Sequence, residues 1–290
     1  MDTPPPPETP ETPSSGAPTR QAPDTARPPV VEFVGVSKTY PNGNTAIRNV
    51  NFRVEDRDRH GEFIAILGPS GCGKSTILRQ IAGLSPQHPP TTGTVTVFGK
   101  PVTGPGSDRG MVFQDYTSFD HRTVQDNVAF GLECRGLPKP ERMQRAWDWI
   151  AKVGLSVKND AGKFPHQLSG GMRQRVAIAR TLALGPRIIL MDEPFGALDP
   201  TTRLNMQDLL LKLWAELEAT IFFITHSIEE SVVLADRIYV MSPAPGTILH
   251  EIPLNKAPGR TARELTRDPE IQKVVADVRD LVESLEAGHA

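Results

Sequence analysis

Along the chain, short apolar runs alternate with longer stretches of helical spacing. Val31-Glu32-Phe33-Val34-Gly35-Val36 alternates with the period of a half-buried strand, runs on through Lys38-Thr39-Tyr40 and stops at the turn Pro41-Asn42-Gly43-Asn44. Ala46 to Val54 and Gly93 to Gly99 predict further strands. Phe63-Ile64-Ala65-Ile66-Leu67, Arg187 to Met191, Thr220 to Ile224 and Arg237 to Met241 are apolar almost throughout, as strands of a covered parallel sheet are. Gly110 to Gln114 is a short apolar run that ends in a polar residue. Helical spacing predicts segments around 126–131, 139–153 and 171–184, grouped as one insertion, and again over 201–217 and 229–234. Strands alternating with helices give an α/β fold with a mostly parallel central sheet. Asp268-Pro269 starts a last helix, whose stripe Ile271, Val274, Val275, Val278, Leu281, Val282 and Leu285 is expected to pack on its own domain.

Residues 1–30 hold ten of the 28 prolines and have almost no apolar surface, so they read as a disordered tail. Glu55 to His60 is a mixed-charge patch, expected to be a solvated hairpin turn. The formal net charge of −2 advertises neither nucleic acid nor an anionic membrane as a partner. Two cysteines, Cys72 and Cys134, point to a reducing compartment. No apolar run approaches the length of a membrane span, so any work at a membrane requires another subunit to cross it.

The chemistry starts at Gly68-Pro69-Ser70-Gly71-Cys72-Gly73-Lys74-Ser75-Thr76, which lies between an apolar strand and a stretch of helical spacing. Its glycines let successive N–H groups converge on phosphate oxygens, and the new helix turns its positive end to the same anion. Lys74 is placed to neutralise the β- and γ-phosphates and the Ser75 hydroxyl to ligate Mg²⁺. Asp192-Glu193 follows a buried strand, on the side where open α/β sheets bind substrate. Asp192 suits the same Mg²⁺, and Glu193 suits the orientation or deprotonation of a water that attacks the γ-phosphate. A second anion site comes from Leu168-Ser169-Gly170-Gly171-Met172-Arg173-Gln174-Arg175, where Ser169 caps a helix that opens with two glycines. One nucleotide does not need two such sites. Two chains packed head to tail do, each closing the other's phosphate loop.

This set resembles the nucleotide-binding subunit of ATP-binding cassette (ABC) transporters, with LSGGMRQR similar to the family signature over a match of about residues 31–255. The resemblance implies a P-loop NTPase (RecA-like) core, an N-terminal antiparallel β subdomain, an inserted α-helical subdomain at about 115–185 and a C-terminal helical extension over 256–290. It implies ATP hydrolysis with ATP and Mg²⁺ as cofactors. Tyr40 would stack on adenine, Gln114 contact Mg²⁺ and water, Asp199 sit in the dimer-contact loop, and His226 act as the switch that touches the γ-phosphate. Ser169, Gly170, Gly171 and Gln174 would act in trans. A second copy, permease subunits and a periplasmic or lipoprotein solute-binding protein follow as partners, at the cytoplasmic face of the inner membrane. A cassette on its own chain looks like the bacterial importer arrangement. Phe195 to Asp199, Ile228 to Arg237 and Met241 to Gly246 are most similar to the nitrate, sulfonate and taurine uptake branch. An exporter ATPase and a soluble, non-transport ABC ATPase are the alternatives.

Overall fold

β3 (Phe63–Leu67) is buried along its whole length because it is the third strand of a six-stranded sheet and has neighbours on both edges. The computed structural model describes residues 27–57, 61–115, 117–256 and 259–287. The sheet runs in the order β10 (Ile248–Pro253), β9 (Arg237–Met241), β3, β8 (Thr220–Thr225), β7 (Ile188–Asp192), β6 (Arg109–Val112). Every pairing from β9 to β6 is parallel, and only β10 is antiparallel, at the edge. A smaller antiparallel sheet orders β2 (Thr45–Val54), β1 (Val31–Thr39), β4 (Thr92–Val97) and β5 (Lys100–Pro101).

The period of two within β3 distributes it between two cores. Ile64 and Ile66 join the core shared with the antiparallel sheet, where Phe52 lies 5.1 Å from Tyr239 between ring centroids. Phe63, Ala65 and Leu67 join the helical side. There, α2 (Val124–Cys134), α3 (Lys139–Lys152), the single turn α4 (Val157–Asp160) and α5 (Gly170–Leu182) are inserted between β6 and β7. α1 (Lys74–Ala82), α6 (Pro200–Ala215) and α7 (Ile228–Leu234) complete the two covering layers. The expected mostly parallel sheet with a helical insertion is therefore what the chain forms.

Two expectations need correction, and some short elements, β5 and β10 among them, were not foreseen. Residues 55–57 are not the start of a solvated hairpin, because β2 and β3 lie in different sheets. The connection crosses between layers, held by Arg187 to Asp56 at 3.2 Å and Arg57 to Glu62 at 3.6 Å. Residues 58–60 lie outside the described set, as do residues 1–26 of the expected tail. Of the remaining tail residues, Pro29 and Val30 are already buried, and Val30 donates its N–H to the Val54 carbonyl. β10 carried no recognisable pattern because its outer edge faces solvent.

The last two helices, α8 (Ala262–Thr266) and α9 (Pro269–Ala287), pack against α6 and α7. Ile271, Val275 and Val278 of the stripe are buried in the helical-side core, with Val274, Val282 and Leu285 beside them. The stripe thus serves its own domain. Among the described residues no helix is long and apolar enough to cross a membrane.

Candidate active site

Four parallel strands deliver their last residues to one edge of the sheet. β3 runs into Gly68 to Gly73 and α1, β6 towards Gln114, β7 ends in Asp192 and is followed by Glu193, and β8 leads into His226. In an open parallel sheet this is the ligand-binding edge.

The loop that opens α1 cannot be built from ordinary residues. Gly73 caps the helix at φ +99°, and a Cβ there would fall 2.5 Å from Ile47 Cγ2 and 2.8 Å from the Ala46 carbonyl. Gly71, at φ +78°, has open space where its side chain would stand, which leaves its backbone accessible. Lys74 is buried, and its Nζ donates to the Gly68 and Pro69 carbonyls at 2.8 and 2.9 Å. The ammonium group is therefore held inside the loop by the loop's own backbone. Cys72 fills space beneath Gly68; burial pushes its thiol pKa up, with Lys74 opposing, so it behaves as a small apolar group. Both cysteines are free. Tyr40, at the end of β1, has its hydroxyl 3.4 Å from Thr76 Oγ1, so the antiparallel sheet sets an aromatic ring beside the start of α1.

Ser75 Oγ donates to Asp192 Oδ1 at 2.9 Å. Asp192 is 5% exposed, and its nearest cation, Arg79, stands 3.9 Å away. Burial raises its pKa, with the Ser75 hydrogen bond and Arg79 opposing. A carboxylate and a hydroxyl, both hard oxygen donors, next to a phosphate cradle suit Mg²⁺, which typically takes one or two protein oxygens and completes its shell with phosphates and water. The residues present fit that ion.

Glu193 is the point where three strands' contributions meet. Gln114 Nε2 lies 3.4 Å, and His226 Nδ1 3.5 Å, from the same oxygen, Glu193 Oε2. Glu193 adopts φ +44°, in the left-handed region that a residue with a side chain enters at a cost of about 1–2 kcal/mol. Its N–H donates to the Ile224 carbonyl at 3.2 Å, and the Gly196 N–H donates to its carbonyl at 3.3 Å. Strain held in place by such bonds is found where side-chain direction matters for function. His226 remains exposed, with 63% of its side-chain surface open.

The second anion site is separate from the first. Ser169 Oγ accepts the Met172 N–H at 3.3 Å and caps α5, and no hydrogen bond or ion pair among the described residues joins residues 168–173 to residues 68–76. Ser169 is exposed, and no Cβ-sized obstacle stands at Gly170. Gln174 departs from the expectation of a role in trans. It is fully buried, and its Nε2 donates to the Pro194 carbonyl, so it ties the signature helix to the segment after Glu193 within one chain. The sequence did carry the signal: Gln174 falls on the stripe of Ala177, Ile178 and Thr181, the buried face of α5. Asp199 is exposed and caps α6, its Oδ1 accepting the Thr201 and Thr202 N–H groups at 3.1 and 3.0 Å.

A sequence profile of the family described as ABC transporter matches residues 47–196, more than half of the 290-residue chain. The chain belongs to the ABC transporter family. It is 46% identical over 246 residues to the nitrate import ATP-binding protein of Synechocystis, covering 83% of this chain and 89% of that protein. It is also 46% identical over 233 residues to the taurine import ATP-binding protein of Escherichia coli, covering 79% and 88% of the two. Among solved structures, a dimeric ATP-binding cassette bound to ADP and Pi superposes with a TM-score of 0.67 at 34% identity, over 78% of this chain and 99% of that one. As an ATP-binding subunit of this family, the chain is an ATPase with a P-loop NTPase core, and the resemblance to the nitrate and taurine branch holds across most of its length.

Burial of Asp192 has a consequence that can be measured without turnover. A folded-state pKa above the ordinary carboxylate value means that the folded chain holds this proton more tightly than the unfolded chain does. Its contribution is therefore neutral at acid pH and becomes destabilising as pH rises through the raised pKa. Asp192→Asn is expected to raise the Tm of the nucleotide-free ABC ATPase at neutral pH by roughly 2 °C, the gain vanishing at acid pH. The same variant should lose the added stabilisation that Mg²⁺ gives in the presence of nucleotide. A neutral-pH Tm at or below that of the parent, in thermal scans across pH, would contradict the assignment.

Proposed function

We propose that this ABC ATPase works as a homodimer that encloses two Mg-ATP and powers the import of a small oxyanion, of the nitrate, sulfonate or taurine kind, through separate membrane subunits. The observation that carries the reading is the presence of two intact anion sites on one chain that do not meet within it: the cradle at Gly68 to Thr76 and the capped, exposed start of α5 at Ser169. The dimeric form of the solved cassette supports the pairing.

In this reading the backbone of Gly68 to Gly73 and the Lys74 ammonium bind the β- and γ-phosphates, and Tyr40 stacks on adenine. Ser75 and Asp192 would hold Mg²⁺, with Gln114 as a further contact; the ion, when bound, would screen charge that develops on the phosphates. Glu193 Oε2 takes a proton from the attacking water, whose position Gln114 and His226 bracket. Ser169, Gly170 and Gly171 of the second copy close the cradle over the γ-phosphate, and Asp199 lies where the two copies touch. Hydrolysis removes the anion that bridges the copies, and the dimer reopens.

Next to Gln114, a cleft of about 310 Å³ is lined by Asp115, Thr117, Ser118, Asp120, Pro165, His166 and Arg173. It joins the loop after β6 to the start of α5, so it would feel both the nucleotide and the signature helix, and it is the surface we assign to the membrane subunits at the cytoplasmic face. A solute-binding protein outside the membrane would select the anion. Purification of the tagged chain from detergent-solubilised membranes tests this reading. Multi-span membrane proteins should co-purify, and removal of the chain should abolish uptake of one such oxyanion; recovery with ribosomal proteins or DNA instead would overturn it.

A further inference from the structure

Glu230 is buried at the third position of α7, between β8, α6 and α7, and takes no part in the chemistry above. Its Oε2 accepts the Thr225 hydroxyl at 2.7 Å. The Thr225 Oγ1 in turn accepts the Ser227 N–H at 3.0 Å. Thr225 and Ser227 are the two neighbours of His226, so one carboxylate–hydroxyl pair grips the backbone on both sides of the histidine. Ser227 Oγ accepts the Glu230 N–H at 3.2 Å, the first half of a capping box. In the usual box the glutamate returns to the serine N–H itself; here the Thr225 hydroxyl stands between them, which draws the end of β8 into the cap.

The other oxygen faces α6. Gln207 Nε2 lies 3.4 Å and Arg203 Nε 3.5 Å from Glu230 Oε1. Arg203 Nη2 donates to the Leu198 carbonyl at 3.0 Å, one residue before Asp199. A line of polar contacts thus runs from the Leu198-Asp199 loop through Arg203, Glu230 and Thr225 to the backbone N–H of Ser227, next to His226. An apolar side chain would fill the same space without desolvating a carboxylate, so packing alone does not explain a glutamate there.

We propose that Glu230 is a positioning residue: it holds His226 within reach of Glu193 and passes movements of the Leu198-Asp199 loop to the histidine. Nucleotide closure by the second copy is thereby sensed from behind the site as well as across the interface. The inference rests on the roles given above to His226 and to the dimer.

The test uses purified full-length chain, with kcat, KM and equilibrium MgATP binding measured for each variant. Thr225→Val, which removes the hydroxyl but not the shape, should lower kcat about tenfold or more, since a misplaced group costs rate rather than affinity, with nucleotide binding unchanged. Thr225→Ser, which keeps the hydroxyl, should recover most of the loss. Arg203→Met should also lower kcat, and its combination with Thr225→Val should lower kcat little beyond either alone, as expected for residues in one network. The parent kcat in Thr225→Val, equal losses in the Val and Ser variants, fully additive losses, or a parallel fall in nucleotide binding and Tm would each overturn the proposal. His226→Ala, run beside them, separates the two layers. If it is inactive while Thr225→Val is not, the relay alone fails; if it turns over at the parent rate, the role of His226 fails and the relay with it.

Discussion

Glu193→Gln is expected to lower kcat by about 10²–10⁴-fold, the usual worth of a positioned general base, while leaving MgATP bound. The amide keeps the length of the side chain and remains compatible with Gln114 and His226 around it, but it cannot accept the proton of the attacking water. Because the γ-phosphate then persists, the bridge between the two copies persists too. The variant should elute as a dimer in the presence of MgATP and as a monomer without it, where the parent returns to monomer after turnover. The strained backbone at this position sharpens the expectation. Glu193 is held at φ +44° by the bonds of its N–H and carbonyl, so its carboxylate is aimed by the loop and not by free rotation of the chain. Hydrolysis by Glu193→Gln at the parent rate, measured as phosphate release, would mean that another group takes the proton.

Ser169→Arg carries the second large effect. It is expected to abolish hydrolysis while leaving nucleotide affinity of the separate chain within about twofold of the parent, because among the described residues no hydrogen bond or ion pair joins Ser169 to the cradle, and sites with no shared partners act independently. Two things break at once. The cap of α5 is lost, at a cost of about 1 kcal/mol to that helix end. In the proposed dimer a long side chain also enters the space that the γ-phosphate of the other copy would occupy. Ser169→Ala loses the hydroxyl, and with it the cap, but adds no bulk, so it should retain more hydrolysis than Ser169→Arg. A large fall in nucleotide binding by the monomeric Ser169→Arg chain would show that α5 serves its own cradle.

Much of this was legible in the residues because the chemistry depends on local pattern. A continuous apolar run such as Phe63 to Leu67 followed by a glycine-rich turn leaves few structures open, and all five strand residues are buried as that run implies. Ser169 before two glycines declared a helix cap, and the cap is formed. What was hidden depends on contacts between distant segments. The stretch after β2 looked like a hairpin because its charges suit water, yet Asp56 and Arg57 find partners at Arg187 and Glu62 across a crossover. Gln174 read as part of an exposed motif, while the register of α5 turns it inward to Pro194. Glu230 drew no reading from the sequence, because Arg203 and Gln207, which turn its helix-cap contact with Ser227 into a junction, come from another helix. The left-handed backbone at Glu193 follows from the way β7 and β8 are tied and has no trace in composition.

Mixing two inactive chains measures shared ownership of the nucleotide most directly. In a dimer of Ser169→Arg with Glu193→Gln, one composite site joins the intact cradle and Glu193 of the first chain to the intact Ser169 of the second, while the other site carries both defects. Equimolar mixing is therefore predicted to restore ATP hydrolysis, to about a quarter of the parent rate if the copies exchange at random and each site acts alone. A mixture as inactive as its two components, under conditions where the chains are shown to exchange, would contradict the account.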